Sequence, residues 1–134
     1  NMDRVDWSCL SMNPNALHII EREPEKIDWS FLSINPNAIH LLENNPDKIE
    51  WMELSMNPNA ISILEQNPKK IFWGLINLNP NAIELLMKNP NNIHFYNLCR
   101  NSNALSIIER NPENINWSNF SENPSIFEED YACK

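Results

Sequence analysis

A single glycine, Gly74, occurs in 134 residues. A chain this poor in glycine carries no Gly-rich phosphate loop and few of the tight turns that join β-hairpins. No apolar run approaches the ~18 residues of a membrane-spanning helix, and no signal-peptide pattern opens the chain. Cysteine is scarce and odd in number: Cys9, Cys99 and Cys133. They fall at unrelated places in the repeat described below, whereas a disulfide framework uses recurring pairs. They therefore read as reduced thiols of an intracellular protein. Positive charge is short as well. Ten basic side chains face eighteen acidic ones, for a net charge of −8, and residues 1–67 hold 4 of the basic and 11 of the acidic groups. Such a balance excludes the basic stripe of a nucleic-acid surface. No Ser/His/Asp or Cys/His constellation is legible, so the sequence assigns no catalytic, cofactor or metal site, and the chain reads as a non-enzyme.

What the chain has in plenty is asparagine, 24 residues, and proline, ten. Their placement is periodic. Pro14, Pro36, Pro58 and Pro80 are 22 residues apart, and the series resumes at Pro124. Pro24, Pro46, Pro68, Pro90 and Pro112 keep the same step, as do Trp7, Trp29, Trp51, Trp73, Phe95 and Trp117. Three phase-locked series without an insertion define a tandem repeat. Proline locked to an apolar period in this way does not signal disorder.

With Asn35 as position 1, one unit reads Asn-Pro-Asn-Ala-Ile-His-Leu-Leu-Glu-Asn-Asn-Pro-Asp-Lys-Ile-Glu-Trp-Met-Glu-Leu-Ser-Met. Asparagine followed by proline suits an N-cap and first helical residue. Helices are therefore expected to start at Asn13, Asn35, Asn57, Asn79 and Asn101, these five acting as structural caps. Ala38, Ile39, Leu41 and Leu42 continue with helical spacing, and Asn45 before Pro46 ends the element. Ile49 anchors a turn. Glu50, or Asp28 one copy earlier, is placed to cap a shorter second element, α or 3₁₀, in which Trp51 and Leu54 share a face.

One short helix and a shorter helical piece cannot bury an apolar stripe alone. Stacked copies can, so the expected fold is an all-α, right-handed α-solenoid of about six repeats. Residues 1–134 read as a single repeat domain: a partial repeat over 1–12, repeats starting at 13, 35, 57, 79 and 101, and a degenerate cap over 123–134. In that last segment Glu129 and Asp130 replace the stripe's leucines. The start at Asn1, inside a repeat, reads as a fragment or processed chain. The joint pattern NPNAI-LL--NPDKI-W--LS, from about Val5 to Pro124, resembles the 22-residue arrays encoded by large DNA viruses of protists, algae and amoebae. The architecture is similar to that of leucine-rich-repeat variant proteins, in which α and 3₁₀ helices alternate. The resemblance implies a viral helical-repeat protein of unassigned activity, in host cytoplasm or virion.

The Trp7, Trp29, Trp51, Trp73, Phe95 and Trp117 series aligns with Ile27, Ile49, Ile71, Ile93 and Ile115 and reads as core. On that basis Trp51→Ala would cost ~3–5 kcal/mol, and Asn57→Ala, as a lost cap, ~1 kcal/mol. His18 and His40 share position 6 in neighbouring layers, ~8–10 Å apart, too far for one zinc ion, and read as solvated. Glu21, Glu43, Glu65 and Glu109 form a position-9 ladder on a solvated face. Asn116-Trp117-Ser118 and Asn119-Phe120-Ser121 match the glycosylation sequon, as chance readily provides among so many asparagines.

Variation among copies marks the candidate binding surface. Phe31, Met52, Phe72, Leu75 and Tyr96 are apolar at positions 16, 18 and 19, where other copies are polar. Either they thicken the core around a short helix, or they form an exposed patch for a protein partner. A basic ladder at position 14 (Arg4, Lys26, Lys48, Lys70) accompanies an acidic one at position 16 (Asp6, Asp28, Glu50) and fades at Phe72. The acidic half would steer a partner with a basic rim. The function expected is a protein–protein interaction scaffold without nucleic-acid or membrane contacts, or else a structural component of a virion that self-associates.

Overall fold

The computed structural model describes residues 2–127, and no strand occurs among the described residues. Helices follow one another in a 22-residue cycle. They are α1 (Trp7–Met12), α2 (Leu17–Ile20), α3 (Trp29–Ile34), α4 (Ile39–Asn44), α5 (Trp51–Met56), α6 (Ile61–Gln66), α7 (Trp73–Ile76), α8 (Ile83–Lys88), α9 (Phe95–Leu98), α10 (Leu105–Glu109) and α11 (Trp117–Phe120). One 3₁₀ turn follows each of α2, α4, α6, α8 and α10, as at Pro46–Lys48. The chain is an all-α helical-repeat solenoid whose unit has three pieces. The Trp-bearing element is α, and the 3₁₀ geometry falls on the Pro-Asp-Lys segment instead. The repeat pattern reads one domain over 1–134, while the packing divides the chain into two compact units, the first ending at Ile71 and the second beginning at Phe72. In the first, α1 packs on α3 and α3 on α5.

The expected helix starts need correction. The even-numbered helices begin at Leu17, Ile39, Ile61, Ile83 and Leu105, four residues after Asn13, Asn35, Asn57, Asn79 and Asn101. Asn35 shows why. Its Oδ1 accepts the N–H of Asn37 at 3.0 Å, as a cap would, and the Ala38 N–H donates to the Asn35 carbonyl at 3.1 Å. These bonds close one isolated turn over Asn-Pro-Asn-Ala. Ala38 then lies at φ −94°, ψ 11°, in the bridge region, and the α ladder starts only after it. Asparagine and proline thus form a turn, and alanine stands at the boundary between turn and helix.

The same asparagine tethers one repeat to the previous one. Asn35 Nδ2 donates to the carbonyls of Ser11 at 2.8 Å and Asn13 at 3.2 Å. Asn57 repeats this on Ser33 and Asn35, both at 2.9 Å. In the second unit Asn101 bonds Asn77 and Asn79, and Asn123 bonds Cys99 and Asn101. Ser11, Ser33, Asn77 and Cys99 offer carbonyls at the C-terminal ends of odd-numbered helices, which lack a partner within their own helix, and the other acceptors are carbonyls of the preceding Asn-Pro-Asn-Ala turn. Asn35, Asn57, Asn101 and Asn123 are fully or almost fully buried, and every buried side-chain N or O atom among the described residues has a hydrogen-bond partner. A second, exposed rung runs from Asn37 to the Pro14 carbonyl (3.0 Å), from Asn59 to Pro36 (2.7 Å) and from Asn103 to Pro80 (2.8 Å). Position 11 supplies a third use: Asn45, Asn67, Asn89 and Asn111 each donate to the carbonyl four residues back, closing the helix that proline ends. Three distinct tasks, at positions 1, 3 and 11, account for much of the asparagine content.

The core is narrower than the sequence suggests. Ala38, Leu42, Leu32, Leu54 and Leu64 in the first unit, and Ala82, Leu86, Ile76, Leu98 and Ile108 in the second, are completely buried. The aromatic series is not. Trp7, Trp29, Trp51, Trp73 and Phe95 are half-buried, and Trp117 is 69% exposed. Each opens its odd-numbered helix at the margin of the layer, while from α3 onward the residue three positions on is buried.

Candidate interaction surface

The margin where the indoles lie is built by two consecutive repeats. Asp28 starts α3 by accepting the Phe31 N–H at 3.4 Å, and its other oxygen accepts the Ser8 hydroxyl at 2.7 Å. Asp6 likewise caps α1 through the Cys9 N–H at 3.0 Å. Glu50, one methylene longer, makes no side-chain cap on α5. Position 21 fixes the approach of the next layer. Ser11 Oγ accepts the N–H of Asp28, and Ser33 Oγ accepts that of Glu50, both at 3.1 Å. In the second unit Asn77 does this for His94 at 2.9 Å.

With position 16 so placed, the lysine at position 14 lies over the indole of the preceding repeat. Lys26 stands 5.1 Å from the ring centroid of Trp7, Lys48 4.8 Å from that of Trp29, and Lys70 4.5 Å from that of Trp51. These are cation–π distances. The expected pairing of this basic ladder with the acidic one at position 16 does not occur: no ion pair joins the two ladders among the described residues. A carboxylate engaged as a helix cap points along the chain, whereas a lysine reaching back one layer meets an aromatic face. Beside the third of these stacks, Glu43, Pro46, Ile49 and Trp51 of one repeat and Ile63 and Lys70 of the next line a cleft of about 380 Å³.

Of the candidate partner-binding residues, Phe31 and Met52 in the first unit are exposed, at 41% and 46%. Phe72 and Tyr96 in the second are exposed at 47% and 63%. Leu75 is half-buried on α7. Sequence reasoning missed Met12, Met87 and Trp117, which are also exposed. Met12 stands where Ile34 and Met56 are half-buried, and Trp117 where the other aromatics are, so the repeat pattern hides both.

The titratable groups are spread along the surface. His40 Nε2 lies 2.8 Å from Glu21 Oε1 of the previous repeat, so position 6 pairs with position 9 across a layer. Arg100 holds Glu122 in the same cross-layer sense. The exposed Cys9 thiol donates to Asp6 Oδ2 at 3.3 Å. That hydrogen bond and the carboxylate charge push the thiol above its usual range, while Cys9's backbone and side-chain bonds hold Asp6 below the ordinary carboxylate range. Cys99 is buried and free; Cys133 lies outside the described residues, as do Glu129 and Asp130. Neither sequon asparagine stands idle: Asn116 caps α11 through the Asn119 N–H, and Asn119 is buried with its amide donating to the Tyr96 carbonyl at 2.6 Å. No group of three metal-ligating side chains occurs among the described residues, and no helix there is long and apolar enough to cross a membrane. No protein-family model, curated protein or solved structure matches this chain.

Proposed function

We propose that the chain is a non-enzymatic protein-interaction scaffold, and that the large side chains it leaves in solvent are its contacts. One observation carries this reading. Core, turns and helix ends are satisfied by residues that recur in every repeat, yet Phe31, Met52, Phe72 and Tyr96 stand exposed at positions that differ from copy to copy. Large apolar side chains in water contribute little to the fold and are the usual anchors of protein interfaces. The acidic net charge of −8 favours partners with a basic rim. The resemblance of the repeat to viral arrays supports placing the scaffold in a virion or an infected cell.

The test replaces Phe31, Met52, Phe72 and Tyr96 together by serine. The expected result is an unchanged helical circular dichroism spectrum, a melting point within a few degrees of the parent, and loss of the partner recovered by cross-linking in source-cell lysate. Retention of that partner by the serine variant would overturn the reading. An assembly component instead shows a sedimentation coefficient that rises with concentration in the parent chain and not in the variant.

A further inference from the structure

We infer that the unit beginning at Phe72 takes up lysine or arginine side chains of a partner on the aromatic faces of Trp73 and Phe95. This rests on the scaffold reading and names the chemistry of the partner. The chain itself shows what such a face accepts. In the first unit Trp7, Trp29 and Trp51 each carry the ammonium group of the next repeat's lysine, at 4.5–5.1 Å. In the second unit position 14 changes from lysine to Asn92 and Asn114. No cation stands over Trp73 or Phe95 among the described residues. Asn114 does not fill the vacated place, since its amide turns to Glu113 Oε1 at 3.1 Å. The exposed Glu113 carboxylate thus has no lysine after it, whereas Glu25 and Asp47 at the same position are each followed by one.

Charge favours the same occupant. Residues 72–134 hold four basic and seven acidic side chains, so a cation gains from the field as well as from the ring quadrupole. The rings recur once per repeat, at the ~8–10 Å spacing of packed helices. A segment in the polyproline-II conformation has three residues per turn and advances ~3.1 Å per residue, so cations three residues apart lie on one side of it and match consecutive rings. The ligand class is a basic, extended protein segment with lysine or arginine at every third position.

The probe is the peptide acetyl-Lys-Ala-Ala-Lys-Ala-Ala-Lys-amide, titrated into the full chain while the indole N–H resonances are followed by NMR. A saturable shift of the Trp73 indole is expected, with those of Trp29 and Trp51 unmoved. The same peptide with norleucine for lysine should bind at least tenfold more weakly. In the variant Asn92→Lys plus Asn114→Lys the chain fills its own rings, so its melting point should rise and peptide affinity should fall at least tenfold. Adding the same charge away from the rings, with Ser62→Lys plus Ser106→Lys, should lower affinity by less than threefold. Equal losses in the two lysine pairs, or equal binding of the norleucine peptide, would overturn the inference, as would an unshifted Trp73. Any of these, with the serine variant above still losing its partner, removes the cation sites and leaves the scaffold reading intact. If the peptide binds as expected but the serine variant keeps its partner, the cation sites stand without the exposed apolar contacts.

Discussion

Asparagine is the residue on which this fold turns, because its short amide both accepts and donates. Asn35 uses all of that capacity: Oδ1 holds its own turn while Nδ2 holds two carbonyls of the layer before. Asn35→Ala should therefore cost ~1–3 kcal/mol in urea unfolding, since the buried Ser11 carbonyl is left unpaired and the turn loses its side-chain bond. The ~1 kcal/mol of a simple cap is too small for this environment. Asn37→Ala, on the exposed rung, should cost under ~1 kcal/mol. Trp51→Ala, at a half-buried ring stacked by Lys70, should cost ~1–3 kcal/mol, less than a core aromatic. At Cys9 the geometry makes a chemical prediction. With the thiol raised by Asp6, iodoacetamide should alkylate Cys9 at pH 8 more slowly in the parent than in Asp6→Ala, measured in a Cys133→Ser background. The sign for Asp6 is the opposite one. Its folded pKa is depressed, so its stabilisation of α1 is present above the ordinary carboxylate range and is lost as pH falls through the lowered value.

At the scale of the element, helices of four to six residues are too short to form by themselves. Their ends decide whether they form. Asp28 caps α3 and Glu50 does not cap α5, although both occupy position 16. Asp28→Ala should cost ~1 kcal/mol, whereas Glu50→Ala should be nearly neutral and Glu50→Asp should stabilise by about 0.5–1 kcal/mol. Thermal melts of the three variants check the ranking. Equal effects at both sites would show that the capping bond contributes nothing here.

The whole molecule inherits its tolerance from the register. The buried asparagine ties run from a residue to its counterpart about one repeat away, as from Asn57 to the Asn35 carbonyl. Deleting residues 35–56 joins Ile34 to Asn57 in phase, and Asn57 then meets the Ser11 and Asn13 carbonyls that Asn35 leaves. This shortened chain should keep its helical signal per residue and lose roughly one repeat's share of the urea m-value. Deleting residues 35–45 instead puts turn against helix, and that chain should lose cooperative unfolding. If both deletions fold equally well, the layers are not held by the asparagine register.

The 22-residue period, the helical class and the places where Phe31, Met52, Phe72 and Tyr96 break the polar pattern were all determined by the sequence. Spacing and variation among copies are properties of the chain itself. Whether those four side chains thicken the core or face solvent was decided by stacking, which fills the interior with other residues. Helix boundaries were not legible either, because Asn-Pro-Asn-Ala satisfies the rules for an N-cap and for a turn equally well. The turn closes at Asn13 as at Asn35, and from Asn35 on the asparagine amide is held there by carbonyls that stacking brings within reach. The tryptophans followed the same course. A periodic aromatic reads as core in one dimension, and only stacking reveals that the leucines fill the interior while a lysine from the next layer covers the ring. Contacts to a neighbouring copy decide which side chains are covered, and no local propensity encodes which groups that copy will present.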